Sequence, residues 1–530
     1  MTVKERLNTK DRSVLAAVCG GSVLELNDPA EDSAELLPLT LRDDEGRRIY
    51  ERSLRFVMLL ALREMYPGRQ VRIEYSVGHG VFVRLPGVTL DEDELARLET
   101  IMRRLVDADL PFEKKTWRLE EAIRYFEKEG QADKVALLRR RPYDFFRMYH
   151  CDGMWEYFYG AMAPSTGYVP VFGLQPYAGG FVLMLPTAEK PDAPAAYVHR
   201  PKHLQVFGQS ARWCGILGVL NAADVAELTE QKRMRAFIRV NEALHDKAIA
   251  SIAEGIVAGG KRIVLVAGPS SSGKTTFSGR LGVHLQVLGC HARIISLDNY
   301  YRNRDELPLE ADGSVDLEAL HTIDVPLLRQ QLTALLRGET VQVPEFDFIT
   351  ARRKEKGMDL AMGEKDVIII EGIHGLNPAL SEGLPQQVIH RVFVSALTCI
   401  NLDDHNRIRT TDVRLLRRIV RDNQFRGTLP SQTLSMWPSV RRGEEKWIFP
   451  YQEQADSVFN TALHYELPIL KHFASELLED IPPEDPQYHM ARRLCKTLHY
   501  FPAIDPAILD EIPPLSLLRE FVGGCTIEKE

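Results

Sequence analysis

The sequence predicts an α/β fold built around a parallel sheet, and three short stretches carry that prediction. A β-branched apolar run, residues 263–267, leads into a loop spelled G-x-x-x-x-G-K-T, and a helical pattern follows the loop. Two further apolar runs have strand character: residues 292–297 lead to Asp298, and residues 366–371 end at Glu371. A strand, a glycine-rich loop and a helix in this order are the context in which the loop motif binds phosphate.

The loop covers residues 268–275. Glycines let successive backbone N–H groups turn inward around phosphate oxygens, and the N-terminus of the following helix adds partial positive charge. We expect Lys274 to reach the β- and γ-phosphates and the Thr275 hydroxyl to hold Mg²⁺. ATP and Mg²⁺ are therefore the predicted cofactors. The predicted nucleotide-binding residues of the loop are Gly268, Pro269, Ser270, Ser271, Ser272, Gly273, Lys274, Thr275 and Thr276.

Composition restricts the class of protein. A chain of 530 residues suggests roughly three domains. With 45% hydrophobic and 26% charged residues it has the composition of a soluble globular protein, and a net charge of −8 gives no global attraction to nucleic acid or acidic lipid. The first residues lack the apolar region of a signal peptide, and no apolar stretch is long enough to span a bilayer. Seven scattered cysteines without a C-x-x-C pair favour reduced thiols in a cytoplasm.

Patterning divides the chain into five parts. We predict α+β units ahead of the α/β domain, and a single long helix that connects them. The predicted parts are a small β-rich unit (1–45), an α+β domain (46–221), the connecting helix (222–260), the α/β domain with the phosphate-binding loop (261–475) and a helical extension (476–530).

The two carboxylates that follow the later apolar runs are candidates for chemistry. A carboxylate at the carboxyl end of a parallel strand points into the crevice where ligands bind. Asp298 can there accept a proton from an attacking hydroxyl or orient it, although a turn aspartate before Asn299 explains the pattern equally well. Glu371, which ends an apolar strand about a hundred residues after the loop, has the Walker B arrangement that holds Mg²⁺ through water. The predicted magnesium ligands are thus Thr275 and Glu371.

The N-terminal part resembles the β-grasp module and the second domain of threonyl-tRNA synthetases, over roughly residues 15–215. The resemblance rests on RDDEGRRIYERS, SVGHGVFVRL, LDEDELARLETIMRRLVDADLPFEKK and WRLEEAIRYFEKEG. In those synthetases the second domain binds metal and edits mischarged tRNA through an H-x-x-x-H pair and a C-x-x-x-H pair. Here Arg52 and Phe56 occupy the first pair of positions, and Phe158 and Met162 the second. We therefore expect the metal site and the editing activity to be lost.

The C-terminal half resembles the uridine kinase and phosphoribulokinase family, over about residues 262–465. SLDNYY, PEFDFITARR, IIIEG and RRIVRDNQFRG carry the resemblance and occur in that order. It implies that Asp298 faces the 5′-hydroxyl of a nucleoside, that Asp316 holds the ribose hydroxyls and that the PEFDF segment walls the base. The substrate residues it implies are Asp298, Tyr301, Asp316, Phe346, Phe348 and Arg418.

A basic helix is predicted over residues 412–425, with four arginines on one face: Arg414, Arg417, Arg418 and Arg421. Guanidinium groups suit phosphoryl transfer, while a solvated charged face is the alternative. The resemblance to the uridine kinase lid favours a functional role for Arg418 and Arg421 in catalysis and for Arg426 in nucleotide binding. Arg417 can equally face solvent. The predicted catalytic residues are Lys274, Asp298, Arg418 and Arg421.

Departures from the family pattern concern the base. Uridine kinases carry a histidine where Ala351 stands and an arginine near the position of Thr428. The reaction type therefore transfers more safely than the identity of the nucleoside. Residues 437–456 replace the segment that comes after the lid in simple uridine kinases, and they can extend the acceptor region or pack against the N-terminal domains.

Taken together, these patterns predict an ATP-dependent kinase that phosphorylates the 5′-hydroxyl of a pyrimidine nucleoside such as uridine or cytidine. One alternative is a kinase of another sugar-like alcohol, such as a phosphorylated pentose. The other is an RNA-binding or regulatory protein that uses ATP as a switch. For the N-terminal domains we predict a role in regulation, in forming a homo-oligomer or in RNA contact, and no membrane partner.

Overall fold

The computed structural model describes residues 1–31, 35–308, 316, 318–347, 350–398 and 400–527. It has a mixed α/β architecture, with antiparallel sheets in the N-terminal half and one parallel sheet of five strands in the C-terminal half. This confirms the predicted fold class. In the described residues no helix is long and apolar enough to cross a membrane.

The N-terminal unit is a three-stranded antiparallel sheet. Its elements are α1 (Val3–Arg6), β1 (Ala16–Cys19), β2 (Ser22–Glu25) and β3 (Leu37–Leu39). The strand order is β2-β1-β3, and the β1–β2 hairpin turns at Gly20 and Gly21, which both have positive φ angles. Apolar side chains of β1 join the core of the following domain, so the two units share one hydrophobic cluster.

The second unit is organised around a long buried helix, α2 (Asp44–Met65). The remaining elements are β4 (Arg72–Val77), β5 (Gly80–Arg84), α3 (Glu92–Asp107), β6 (Glu113–Arg118), α4 (Leu119–Lys128), α5 (Ala132–Leu138), β7 (Phe145–Cys151), β8 (Met154–Glu156), β9 (Gly173–Tyr177), β10 (Gly180–Met184) and α6 (Pro201–Leu217). They form two antiparallel sheets, β4-β5-β10-β9 and β6-β7-β8. Helix α2 buries charged as well as apolar residues, among them Arg48, Glu51, Arg52 and Arg55. Buried charges need partners, so this helix requires ionic contacts from its surroundings.

The connection to the C-terminal half is two helices, where the sequence pattern predicted one. They are α7 (Ala222–Glu230) and α8 (Met234–Ala258). Between them Lys232 has a φ of +57°, a left-handed conformation that interrupts the helical hydrogen bonds. Helix α8 then packs Ile249 and Ile256 against the parallel sheet.

The C-terminal half contains the parallel sheet. Its elements are β11 (Ile263–Ala267), α9 (Lys274–Val287), β12 (His291–Ser296), α10 (Val325–Leu336), β13 (Val341–Val343), β14 (Phe346–Asp347), β15 (Arg352–Arg353), β16 (Met358–Leu360), β17 (Asp366–Glu371), α11 (Pro378–Ser381), β18 (Ile389–Ser395), β19 (Asn401–Asp403), β20 (Asn406–Arg407), α12 (Thr410–Arg426), α13 (Pro430–Trp447) and β21 (Ser457–Asn460). The sheet order is β12-β17-β11-β18-β21, and all its pairs are parallel. Separate apolar clusters cover its two faces, which explains why β11 and β17 are buried along their whole length.

Three helices end the chain: α14 (Glu466–Glu479), α15 (Tyr488–Leu498) and α16 (Arg519–Val522). Helix α14 packs on α15, and apolar residues of all three join the cluster that surrounds α12. The extension therefore covers the domain with the phosphate-binding loop.

A buried ionic cluster joins the two halves of the molecule. The ammonium group of Lys134, on α5, donates to both carboxylate oxygens of Glu156 and lies 2.8 Å from Nδ1 of His405, in the β19–β20 turn. His405 Nδ1 is also 2.6 Å from the Glu156 carboxylate. Burial by itself would raise the pKa of Glu156, but Lys134 and His405 lower it to about 2. The carboxylate is therefore held in its charged form at the domain interface.

We expect Lys134→Met to destabilise this interface, because it leaves the buried Glu156 carboxylate without its main counter-charge. Breaking a buried pair costs about 3–5 kcal/mol, which lowers the thermal midpoint by roughly 6–20 °C in a domain of about 150–250 residues. Differential scanning calorimetry measures the change. Lys115→Met, which replaces an exposed lysine on β6, is the control and should leave the midpoint in place. Equal midpoints for the two variants would contradict the role given to the buried cluster.

Candidate nucleotide-binding site

The loop after β11 has the backbone conformation that its glycines permit. A Cβ at Gly268 would lie 2.0 Å from the carbonyl oxygen of Val394, so only glycine fits against the neighbouring strand. Gly273 has a φ of +86° and precedes the first residue of α9. Ser271 has a φ of +57°, which is unusual for a residue with a side chain and is typical of functional loops. The loop therefore leads directly into the N-terminus of α9, where partial positive charge is available.

Lys274 and Thr275 lie in the first turn of α9, beside the loop. Nζ of Lys274 donates to the carbonyl oxygens of Gly268 and Pro269, at 3.0 and 3.2 Å. These contacts hold the Lys274 ammonium group across the loop that is predicted to bind the triphosphate. Thr275 is half-buried.

The carboxyl ends of β11, β12 and β17 bring the two predicted carboxylates to the same edge of the sheet. Glu371 pairs in register with Ser296 on one side and with Val266 on the other. Burial and the nearby negative charge of Asp298 raise the pKa of Glu371 to about 7, while Lys274 opposes the shift. Glu371, Asp298 and Lys274 thus lie close enough for their charges to interact.

The strand that precedes Asp298 ends one residue earlier than the sequence pattern predicted, so Asp298 does not directly follow it. Strand β12 ends at Ser296, and residues Leu297–Tyr300 form a 3₁₀ turn. The hydroxyl of Ser296 accepts from the backbone N–H of Asp298 at 3.3 Å and caps this turn. The capped turn fixes the backbone that carries the Asp298 carboxylate.

Helix α12 is the predicted basic helix, and two of its arginines are among the most buried side chains of the protein. Nε of Arg414 donates to the carbonyl oxygen of Ser270 at 2.9 Å. Arg417 is 0% exposed, and its Nε donates to Glu466 at 2.7 Å. The expectation that Arg417 can face solvent is therefore wrong, because α14 supplies a buried carboxylate that the helical pattern of α12 alone could not reveal.

The other lid arginines differ in their contacts. Arg418 donates from Nη1 to the hydroxyl of Ser270 at 2.9 Å, so it reaches the loop. Arg421 is held by Asp422, to which its Nε and Nη2 donate at 3.0 and 2.9 Å. The side chain of Arg426 is 57% exposed and lies 3.5 Å from the same carboxylate. Asp422 thus gathers three arginines on the side of α12 that faces the loop.

The predicted acceptor residues lie next to α13. The ring of Tyr301 is 5.7 Å from the ring of Phe346, so these two predicted substrate residues are neighbours. Nε1 of Trp447 is 3.4 Å from a carboxylate oxygen of Asp316. The segment 437–456 thus lies beside the predicted acceptor residue Asp316, and it also contacts the second unit, where Glu453 accepts from the backbone N–H of Lys202 at 3.2 Å. Phe348 lies outside the described residues.

Two carboxylates that sequence reasoning missed contact the loop. Glu444, on α13, accepts from the backbone N–H of Ser270 at 3.0 Å and from Arg414. Glu520, on α16, accepts from the backbone N–H and the hydroxyl of Thr276, at 3.2 and 2.8 Å. Both come from elements far along the chain, and no motif marks them.

His374 is a third missed residue, and it follows Glu371 by three positions. It is 1% exposed, and neither ring nitrogen has a hydrogen-bond partner among the described residues. Burial lowers the pKa of His374 to about 4, so the ring is neutral. Its ring lies 6.1 Å from that of Trp447, beside the acceptor region. The only sequence signal that pointed to His374 was its position three residues after Glu371.

A parallel sheet with a G-x-x-x-x-G-K-T loop between its strand and helix defines the P-loop class of nucleotide-binding proteins. The family model described as phosphoribulokinase/uridine kinase matches residues 263–466. A uridine kinase of Deinococcus deserti is 32% identical over 197 residues, which cover 37% of this chain and 86% of that protein. A uridine kinase of Macrococcus caseolyticus is 31% identical with the same coverage. The chain belongs to the phosphoribulokinase/uridine kinase family.

The N-terminal region is similar to a different class of protein. A threonine–tRNA ligase of Carboxydothermus hydrogenoformans is 27% identical over 172 residues. The match covers 32% of this chain and 27% of the ligase, so the chain spans about a quarter of the length of that relative. The chain thus joins a ligase-like region to a kinase of the phosphotransferase type.

We expect Glu520→Ala to tighten nucleotide binding, because Glu520 occupies the N–H and hydroxyl groups of Thr276 that a phosphate would use. Removal of a competing carboxylate should raise the affinity for a non-hydrolysable ATP analogue roughly three- to tenfold. Isothermal titration calorimetry measures the dissociation constant. Glu511→Ala removes a carboxylate from the same C-terminal segment that pairs instead with Arg235 and Arg239, and it should leave the affinity unchanged. An unchanged or weaker affinity in Glu520→Ala would show that the carboxylate does not compete.

Proposed function

We propose that the protein is an ATP-dependent kinase that transfers a phosphoryl group to the 5′-hydroxyl of a nucleoside of the uridine type. The observation that carries the proposal is the convergence of Lys274, Glu371 and Asp298 where strands β11, β17 and β12 end. A cation beside the loop, a buried carboxylate and an acceptor-side carboxylate are the groups that this reaction requires.

The residues of the site fit Mg²⁺ and ATP. The loop offers backbone N–H groups at a helix N-terminus, and Glu371 and Thr275 offer the oxygen ligands that magnesium prefers. When bound, the metal neutralises negative charge on the β- and γ-phosphates. The chain's own part is to hold the phosphates with the loop amides and with Lys274, and to bring Arg418 to the loop from α12.

Asp298 is the group we assign to the acceptor hydroxyl. Its carboxylate accepts the hydroxyl proton or orients it, so that the oxygen attacks the γ-phosphorus in line with the leaving ADP. Arg418 and Arg421 stabilise the charge that spreads over the equatorial oxygens of the transferring group. The buried position of α12 excludes water from the loop and thereby limits hydrolysis.

The charges of the acceptor side favour a neutral acceptor over a phosphorylated one. Burial raises the pKa of Glu318, and the negative charges of Glu444 and Asp298 raise it further, while Arg418 and Lys274 oppose the shift. Asp316 adds another carboxylate beside Trp447, with Lys446 3.7 Å away. A phosphate dianion on the acceptor would meet repulsion here, whereas a nucleoside would not. The neutral ring of His374 can hydrogen-bond an uncharged polar group.

We expect Asp298→Asn to separate binding from turnover. The affinity for an ATP analogue should stay within about twofold, while kcat falls roughly a hundredfold or more, the range for loss of a general base. A coupled ADP assay gives kcat, and calorimetry gives the affinity. Asp359→Asn, at an exposed aspartate on β16, is the matched control and should retain full activity. Parallel loss of binding and turnover in Asp298→Asn would assign the residue a structural role instead.

A panel of acceptors tests the substrate class. With Mg·ATP present, we expect uridine or cytidine to be consumed and the nucleoside 5′-monophosphate to appear, because the acceptor side is acidic and uncharged acceptors fit it. A pentose phosphate should give no product above the ADP background. Product identification by mass spectrometry decides between them. Turnover of the pentose phosphate alone would overturn the nucleoside proposal and leave a kinase of another alcohol.

RNA contact through the ligase-like region, a homo-oligomer and a cytoplasmic location stay predictions from the sequence.

A further inference from the structure

A cavity lined by arginines lies between helix α2 of the ligase-like region and the start of lid helix α12. It encloses about 70 Å³. The six arginines that line it are Arg48, Arg52, Arg55, Arg407, Arg409 and Arg493. We call it the arginine cavity.

The arginines of the cavity outnumber their carboxylate partners. The Glu51 carboxylate is the partner of three of these arginines. Nη2 of Arg407 donates to one of its oxygens at 3.2 Å, and Arg409 donates to the other oxygen. Nη1 of Arg55 lies 3.5 Å from the same carboxylate. Asp412 serves two more, Arg48 at 2.9 Å and Arg493 at 2.5 Å. When Asp44 and Glu45, which pair with Arg48 and Arg52, and Asp403, whose charge acts on Arg55, are also counted, six arginines face five carboxylates.

Two guanidinium groups retain buried donors without partners. Nε of Arg55 has no hydrogen-bond partner among the described residues, and the side chain is only 6% exposed. Nε of Arg493 is likewise buried without a hydrogen-bond partner in the described part of the chain, and its nearest carboxylate, that of Glu45, is 3.9 Å away. Buried polar groups in native proteins are almost always hydrogen-bonded, and an unpaired one calls for a ligand, an ion or water. The two donors come from opposite walls, α2 and α15.

We propose that the arginine cavity binds a phosphate-type oxyanion, either free phosphate or the phosphate group of a small metabolite. An excess of positive charge suits an oxyanion, and guanidinium forks bind phosphate oxygens in pairs. One water needs about 10–15 Å³ of cavity volume, so a volume of about 70 Å³ leaves room for a tetrahedral anion. The site is separate from the phosphate-binding loop and does not depend on the proposed kinase activity.

The position of the cavity connects this anion to the kinase. Asp412 lies in the first turn of α12, and Arg409 directly precedes the helix. The same helix carries Arg414 and Arg418 to the loop at Ser270. The proposed anion therefore joins the ligase-like region to the element that contacts the loop.

Calorimetric titration of inorganic phosphate into the full chain tests the proposal, with Lys274→Ala used to weaken binding at the loop. We expect one phosphate site to persist in Lys274→Ala. In that background Arg55→Met should weaken it at least tenfold, and so should Arg493→Gln from the opposite wall. Arg63→Met, at an exposed arginine further along α2, should leave it unchanged.

Two outcomes would overturn the proposal: no phosphate binding in Lys274→Ala, or unchanged binding in both cavity variants. A thermal melt checks that each variant is folded. If Arg55→Met does not fold, the phosphate affinity of Arg493→Gln alone tests the proposal. A second titration uses a pentose phosphate, which the proposed acceptor side excludes, and identifies the source of the anion. Equal affinity for the two probes indicates free phosphate, and tighter binding of the sugar phosphate indicates a phosphorylated metabolite; both support the site if Arg55→Met weakens them.

Discussion

The buried ion pairs of helix α12 are the contacts on which the arrangement of the site depends. Arg414 and Arg417 have 2% and 0% exposed side chains, and each has a carboxylate partner on a later helix, Glu444 and Glu466. A buried guanidinium without its partner is strongly destabilising. Since these arginines also donate to carbonyl oxygens of the loop, the pairs fix helix and loop relative to each other. Helices α13 and α14 thus contribute to the site without carrying a recognisable motif.

The same helix connects the two halves of the chain. Its first turn carries Asp412, which is held by Arg48 of α2 and by Arg493 of α15. The β19–β20 hairpin, just before α12, supplies His405 to the buried cluster around Glu156. The ligase-like region is therefore packed against the kinase through charged groups as well as apolar ones. Such an interface is specific in its geometry, because each buried charge tolerates only a narrow range of partner positions.

Local patterns sufficed for the parts of the site that lie in one stretch of chain. The loop, Lys274 and Glu371 follow from a strand, a glycine spelling and an apolar run, and the sheet places them at one edge as predicted. Asp298 was found by its position after a strand, although a capped 3₁₀ turn carries it. The single helix predicted over 222–260 is two helices in the structure. The break at Lys232 was not predicted, because a left-handed residue leaves no periodic signal in the sequence. Phe348 stays a prediction, since it lies outside the described residues.

The sequence alone determined that a glycine-rich loop joins a buried strand to a helix, because motif spacing and hydrophobic periodicity are properties of neighbouring residues. Only the tertiary structure decided which distant groups meet. Glu520 reaches Thr276 across 244 positions of the chain, and Arg48 reaches Asp412 across 364. No periodicity encodes such pairs. They form because the packed core brings the elements together, and a buried charge is stable only where a partner lies within hydrogen-bond distance.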